Sequence, residues 1–279
     1  MRLIANSHGK ARIRVMRVER GPDRQQVREA SLDVMLHGEA FAPSYTDADN
    51  TLVVATDTIR NLVNLVAREH ITASTEHLAR AVATRFLDRY DHVERVTVAA
   101  TETRWSRLTI DGATHPHAFT LNANGHPTAH IDATRDATTL RSGIEGITFL
   151  KSTGSGFAGF LRDDATTLPE THDRIAATSM NATWLWRADP ADHPTTNTAI
   201  LDAMLRIFAT THSASLQDSL YRMGKAALEI APEISAITLA CPNKHYLPID
   251  LTRLGAASDN LVFTPTDEPH GQIECTLSR

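Results

Sequence analysis

Apolar residues recur at helical spacing in four stretches of the chain. Ile59, Leu62, Val63 and Val66 share one face of a first helix, and Leu78, Val82 and Phe86 share one face of a second. Ile200, Leu201, Met204, Leu205 and Phe208 form a third stripe; Leu220, Met223 and Ala227 form a fourth. Strict alternation follows each pair of helices, Val96/Val98/Ala100 first and Ile237/Leu239/Cys241 later, as in a strand with one buried face. Ala11–Arg17, Glu29–Leu36, Pro127–Ala133 and Ile147–Ser152 also read as strands, and short extended runs close with Gly271–Leu277. Ser106–Pro116 and Asp189–Asn197 are polar and read as loops.

The pattern repeats. At an offset of 141 residues Thr72-Ala73-Ser74-Thr75-Glu76 lies over Ser213-Ala214-Ser215-Leu216-Gln217, and Val96-Thr97-Val98-Ala99 over Ile237-Thr238-Leu239-Ala240. Ile59 falls on Ile200 in the same register. The expected fold is α+β: two β-β-α-α-β-β repeats, 1–135 and 136–279, with helices on one face of antiparallel sheets. Such a half-sheet leaves open edges, so oligomerisation is expected.

Composition narrows the function. Lys and Arg number 28 against 33 Asp and Glu, a formal charge of −5, which disfavours nucleic acid as the main partner. Residues are 42% hydrophobic, enough for a full core, yet no run of eighteen apolar residues suggests a membrane span. The opening MRLIANSHGKARIRV has no apolar stretch of the secretory kind, so the protein is expected to be intracellular. Cys241 and Cys275, the two cysteines, can form neither a disulfide scaffold nor a thiolate metal cage.

Two tempting motifs fail on context. Gly154-Ser155-Gly156-Phe157-Ala158-Gly159 is a literal GxGxxG, but Phe160–Pro169 after it has no helical stripe and ends at proline, so a dinucleotide site is rejected. Fourteen histidines include the tight pair His115/His117, without HExxH or CxxC. His37-Gly38-Glu39 mimics half of a deaminase signature that no PCxxC completes. No metal is expected.

Six separated segments carry a stronger signal: His8-Gly9-Lys10, Val53–Asn61 (VVATDTIRN), Phe149–Phe157 (FLKSTGSGF), Thr166–Arg174 (TTLPETHDR), Ser213–Gln217 (SASLQ) and Cys241–Leu251 (CPNKHYLPIDL). In order and spacing they span nearly the whole chain and resemble the urate oxidase (uricase) family, whose tandem tunnelling fold (T-fold) suits the repeat. The resemblance implies oxidation of urate by dioxygen and water to 5-hydroxyisourate and hydrogen peroxide, a step towards allantoin, with no cofactor. It also implies a homotetramer in which paired subunits close a barrel and each active site is shared at an interface.

Residue by residue, the resemblance assigns Arg174 to grip the flat anionic purine, for which a planar guanidinium suits two parallel hydrogen bonds. Gln217 reads a second edge as donor and acceptor, with Leu216 beside it in contact through its backbone. Independently, Ser215 three residues before Asp218 reads as a helix N-cap. Leu216 and Gln217 then lie in the first turn, where free N–H groups favour an anion. Phe157 corresponds to the ring that stacks on the purine, Thr56 and Asp57 to residues that close the site from the neighbouring subunit, and Asn243 to the holder of dioxygen or water.

Lys10, Thr56 and His245 match the family's proton relay. A lysine serves as base only once its neutral amine is populated, a threonine hydroxyl both donates and accepts, and a histidine titrates near neutrality. Each has an ordinary alternative: a solvated lysine, a helix-capping threonine, a surface histidine, and for Asp57 a helix N-terminal acid. Two departures stand out. His8 takes a place where an aromatic is common, and Gly154 with Gly156 predicts a more flexible Phe157 loop. The chain ends Thr276-Leu277-Ser278-Arg279, with no Ser-Lys-Leu peroxisomal address, so a cytoplasmic location is expected.

Other readings are a T-fold enzyme acting on a pterin or another purine, and a purine-binding protein without turnover. The former generally need a metal or a Cys/His set, and the latter has no use for Lys10, Thr56 and His245 acting together.

Overall fold

The computed structural model describes residues 1–279, which fold as two compact units, Met1–Gly143 and Ile144–Arg279. The first opens with a hairpin of β1 (His8–Arg20) and β2 (Gln25–His37). A short helix α1 (Ala42–Thr46) leads to α2 (Thr56–His70) and α3 (Thr75–Arg89), then to β3 (Arg95–Ile110), β4 (Ala113–Asn122) and β5 (His126–Thr134). The strands run in the order β1-β2-β3-β5, with β4 paired to β3.

Antiparallel register sets the core. Leu32, Val34 and Leu36 of β2 oppose Ala100, Val98 and Val96 of β3, which in turn oppose Ala129, Ile131 and Ala133 of β5. All nine are buried, so one sheet face is continuously apolar. Against it lie α2 on β1 and α3 on β3 and β5, presenting Ile59, Val63, Leu78, Val82 and Phe86. Burying each such large side chain contributes roughly 1.5–3 kcal/mol.

The strand β6 (Thr138–Lys151) carries the chain out of the first unit. In the second, β7 (Ala176–Trp186) is followed by α4 (His193–Thr210), α5 (Leu216–Ile230), β8 (Ile234–Pro248) and β9 (Phe263–Ser278). Antiparallel β7, β8 and β9 align Ala182 with Leu239, and Leu239 with Cys275. Helix α5 packs on β8 and β9 and against α4, around buried Met180, Trp184, Ile200, Met204, Leu220 and Met223. At Gly224 of α5 a Cβ would come within 2.9 Å of Leu277, so the glycine lets helix and strand approach closely.

The repeat is visible in local detail. Ser74 caps α3 by accepting from His77 N at 3.0 Å, and Ser215 caps α5 by accepting from Asp218 N at 3.1 Å. Two residues past each cap stand Glu76 and Gln217. Glu76 is buried and accepts a 2.6 Å hydrogen bond from Ser142 Oγ.

Three segments differ from the sequence expectation. Ser106–Pro116 is not a loop: β3 and β4 continue through it as a hairpin, turning at Asp111 (φ 50°) and Gly112 (φ 79°). An Asp-Gly pair suits such a turn, but the flanking strands are polar and largely exposed, so no alternation betrays them. The first unit therefore has one strand more than the predicted repeat. Asp189–Asn197 is a loop only as far as Asp192, whose carboxylate caps α4 by accepting from Thr195 N at 2.9 Å. Strand β7 is the second strand that the repeat required before α4 and that no stretch was assigned to; its buried alternation mixes small residues, Ala176, Thr178 and Ala182, with Met180, Trp184 and Trp186.

Candidate active site

The segment between β6 and β7 is laced by backbone hydrogen bonds. Gly156 N donates to Ser213 O (2.9 Å) and Ser213 N to Gly154 O (2.9 Å), tying the segment to the approach of α5. Phe157 and Thr171 exchange both bonds, at 2.7 and 3.0 Å, and Arg174 N donates to Ser155 O at 2.7 Å. The Asp173 carboxylate accepts from Thr153 Oγ1 (2.8 Å) and Gly154 N (2.9 Å). Those bonds, the hydroxyl first, hold its carboxyl below the usual aspartate range. Flexibility is thus not what the glycines supply. Gly154 adopts φ 73°, a turn only glycine takes readily, and a Cβ on Gly156 would press within 3.0 Å of Thr171 O.

This lacing sets Phe157 and Arg174 side by side. The Arg174 guanidinium carbon lies 5.5 Å from the Phe157 ring centroid, and Phe160 stacks on the same ring at 4.8 Å and 9°. Arg174 Nε is buried and has no hydrogen-bond partner. Burial pulls the guanidinium's pKa down, although arginine keeps its charge across the working range. A half-buried cation with an unused donor suits a planar anion.

Around these two opens a cavity of about 600 Å³, within the range of ligand pockets. Phe157, Arg174, Leu216, Gln217, Asn243 and His245 all line it. Leu216 and Gln217 occupy the first turn of α5, held by the Ser215 cap, where the helix dipole and free N–H groups favour negative charge. Asn243 and His245 reach it from β8, where the register against β9 shifts between them. Lys244 is ion-paired with Asp267 at 3.1 Å. Cys241, two residues before Asn243, is fully buried, and desolvation pushes its thiol up to about 12, so it is no nucleophile.

Lys10, Thr56 and Asp57 belong to the first unit and are not among the residues lining that cavity. Lys10 sits on β1 opposite Val34, just before a bulge at which Arg12 takes φ 54°. Thr56 is the first residue of α2. Ala55 is the N-cap and no side chain caps it, so the Thr56 hydroxyl is not spent on capping. Asp57, in the first turn, pairs with Arg60 at 2.5 Å and accepts from Asn61 at 3.0 Å, as a helix N-terminal acid does.

Known proteins resemble this chain along its whole length. A sequence model of the family described as Uricase matches residues 6–132 and 140–274. The uricase of Arthrobacter globiformis is 38% identical over 98% of this chain and 89% of its own length. For the uricase of Emericella nidulans the figures are 36%, 99% and 96%. The chain belongs to the uricase family. The crystal structure of the Arthrobacter globiformis uricase matches with a TM-score of 0.94 and 38% identity, covering all of this chain and 95% of that one.

Against this uricase background, the sequence left out several lining residues. Leu168, Tyr246 and Phe263 also face the cavity. Phe160, three residues past Phe157 and stacked on it, was legible only as an aromatic pair flanking a glycine. No group of three or more His, Cys, Asp or Glu side chains is disposed to hold a metal ion, and no helix is long and apolar enough to cross a membrane.

Proposed function

We propose that the protein oxidises urate with dioxygen and water to 5-hydroxyisourate and hydrogen peroxide, without metal or organic cofactor. The observation that carries this is the convergence of Arg174, Gln217, Phe157, Asn243 and His245 on one cavity in a chain of the uricase family. Arg174 grips the anionic purine edge with its fork, and Gln217 pairs a donor and an acceptor with the adjoining edge. Phe157 stacks on the ring, backed by Phe160. Asn243 holds dioxygen, then water, above the purine plane.

The reaction balances as a two-electron oxidation. The purine gives two electrons to dioxygen and loses one N–H proton. Water supplies a second proton and, as hydroxide, adds to the oxidised ring. Dioxygen, with two electrons and two protons, leaves as hydrogen peroxide. Protons must therefore move twice, and Lys10, Thr56 and His245 form the relay that moves them.

His245 lines the cavity, whereas Lys10 and Thr56 lie in the first unit. This division supports a site completed by a neighbouring copy of the chain, within a homotetramer. Oxygen uptake on adding urate to chelator-treated protein, followed with urate absorbance and peroxide, tests the reaction. Coupled loss of urate and oxygen with peroxide release is the expected result. Urate binding without turnover would overturn it. Light scattering on the active fraction tests the assembly, and an active monomer would contradict the shared site.

A further inference from the structure

Three rings outside the cavity hold the turn that leads into Thr56. His8, the first residue of β1, has Nε2 3.1 Å from the carbonyl oxygen of Val54. A carbonyl only accepts, so Nε2 carries the proton. Desolvation, aided by nearby His92, lowers the His8 pKa against the pull of that bond, which favours the neutral ring. The His8 ring meets Phe41 edge-on at 4.4 Å, and Phe41 is fully buried. On Phe41 also sits His92, edge-on at 5.5 Å, with Nε2 2.9 Å from the carbonyl oxygen of Leu52. Two imidazoles packed against one phenylalanine thus hold carbonyls two residues apart.

What they hold matters for the relay. Val54 is two residues before Thr56, and Ala55 between them is an N-cap without side-chain help, so the start of α2 depends on this turn for its placement. Lys10 is two residues after His8. Its stretch of strand is pinned to β2, since a Cβ on Gly9 would collide with the Val34 carbonyl oxygen. Beyond Lys10 the bulge is fixed by Arg12 N donating to Asp33 Oδ1 at 2.6 Å. His8 is therefore the side chain that joins the stretch bearing Lys10 to the stretch bearing Thr56.

We infer that His8 is a positioning residue of the proton relay, holding Lys10 and Thr56 in fixed relation through its bond to Val54; this rests on the oxidase reading above. It touches neither purine nor oxygen and acts through the two residues it aligns. The purine grip, by contrast, lies in the second unit with Arg174, Gln217 and Phe157. Loss of the His8 bond should thus fall mainly on turnover and far less on binding, for which Thr56 and Asp57 close the site but do not supply the grip.

The test is steady-state kinetics on the full-length protein with His8→Phe, His8→Asn and His8→Gln, each checked by thermal melting. Phenylalanine keeps the ring without the donor. Asparagine is too short to reach Val54, whereas glutamine restores an N–H at about the right length. Misplacing relay groups predicts a kcat lower by about 10- to 100-fold for Phe and Asn, with KM within about 2-fold of wild type, and most of kcat regained with Gln. If the Phe variant does not fold, the Asn and Gln pair decides. In a Lys10→Ala background His8→Phe should cost less than about 2-fold more, because there is no lysine left to align. Unchanged kcat, a parallel rise in KM that glutamine does not rescue, or an undiminished loss in the Lys10→Ala background would overturn the assignment. Wild-type protein that consumes no urate would instead sink the oxidase reading, and with it this one. An active wild type beside an unaffected His8→Phe would sink the His8 role alone.

Discussion

Arg174 and Phe157 approach within 5.5 Å, guanidinium carbon to ring centroid, because the backbone of one segment folds back and bonds to itself. On the function proposed above, the ring that would stack and the cation that would grip an edge are thereby fixed side by side. Replacing Arg174 by lysine keeps the charge and removes the fork. Charged hydrogen bonds are worth about 1.5–3 kcal/mol, so KM for urate should rise by about 10- to 150-fold. Titration with a purine that cannot be oxidised separates this loss of binding from any change in turnover.

Gly156 is where that segment is tightest. An added methyl would sit 3.0 Å from Thr171 O and 3.3 Å from the His172 backbone, neither of which can swing away. Gly156→Ala should displace the Phe157–Thr171 pairing, raise KM and lower the melting temperature together. A variant with unchanged kinetics would mean that the pairing does not place Phe157.

The two serine caps make a controlled pair. Ser74→Ala and Ser215→Ala each remove one N-cap bond and should each destabilise by about 0.5–2 kcal/mol in chemical denaturation. Only Ser215→Ala should also raise KM, since Leu216 and Gln217 are in the turn it fixes. A matching KM rise with Ser74→Ala would remove the special role of the α5 start.

Asp173 links the segment to pH. Its folded pKa lies below the ordinary 3.8, held down first by the Thr153 hydroxyl and then by Gly154 N–H. A depressed carboxylate contributes stability that is complete above its ordinary pKa and lost as pH falls through the lowered folded value. Asp173→Asn should therefore melt lower than wild type at neutral pH, with the two converging as the medium is acidified below 3.8. A gap that persists in strong acid would assign the effect to packing.

Long periodic elements were legible in the sequence because their periodicity is a consequence of burial on one face. Ile59, Leu62, Val63 and Val66 are buried together on α2, and Val96, Val98 and Ala100 on β3, as their spacing implied. The Ser215 cap was equally plain, since a serine followed at three residues by an acid has few competing uses. Elements left unplaced were β4, whose two faces are both largely polar, and β7, whose inward side mixes Ala176, Thr178 and Ala182 with Met180, Trp184 and Trp186. In the site, the resemblance to the uricase family picked out Phe157, Arg174, Leu216, Gln217, Asn243 and His245, all of which line the cavity. Side chains such as Phe160 and Tyr246 escaped because stacking and lining depend on distances no spacing encodes.

The two serine-capped helix starts place a residue two past the cap in each unit, and the chain has filled those places with side chains of the same shape, one charged and one neutral. Glu76 is 3% exposed and turned to a serine of its own unit, while Gln217 opens on the cavity. The amide and the carboxylate differ by one charge. On the lining it shares with Arg174, a carboxylate at 217 would repel a negatively charged ligand and offset the arginine's charge. With Glu170 and Asp173 already on the lining, the neutral amide spares the cavity a third carboxylate and leaves the Arg174 charge to a ligand.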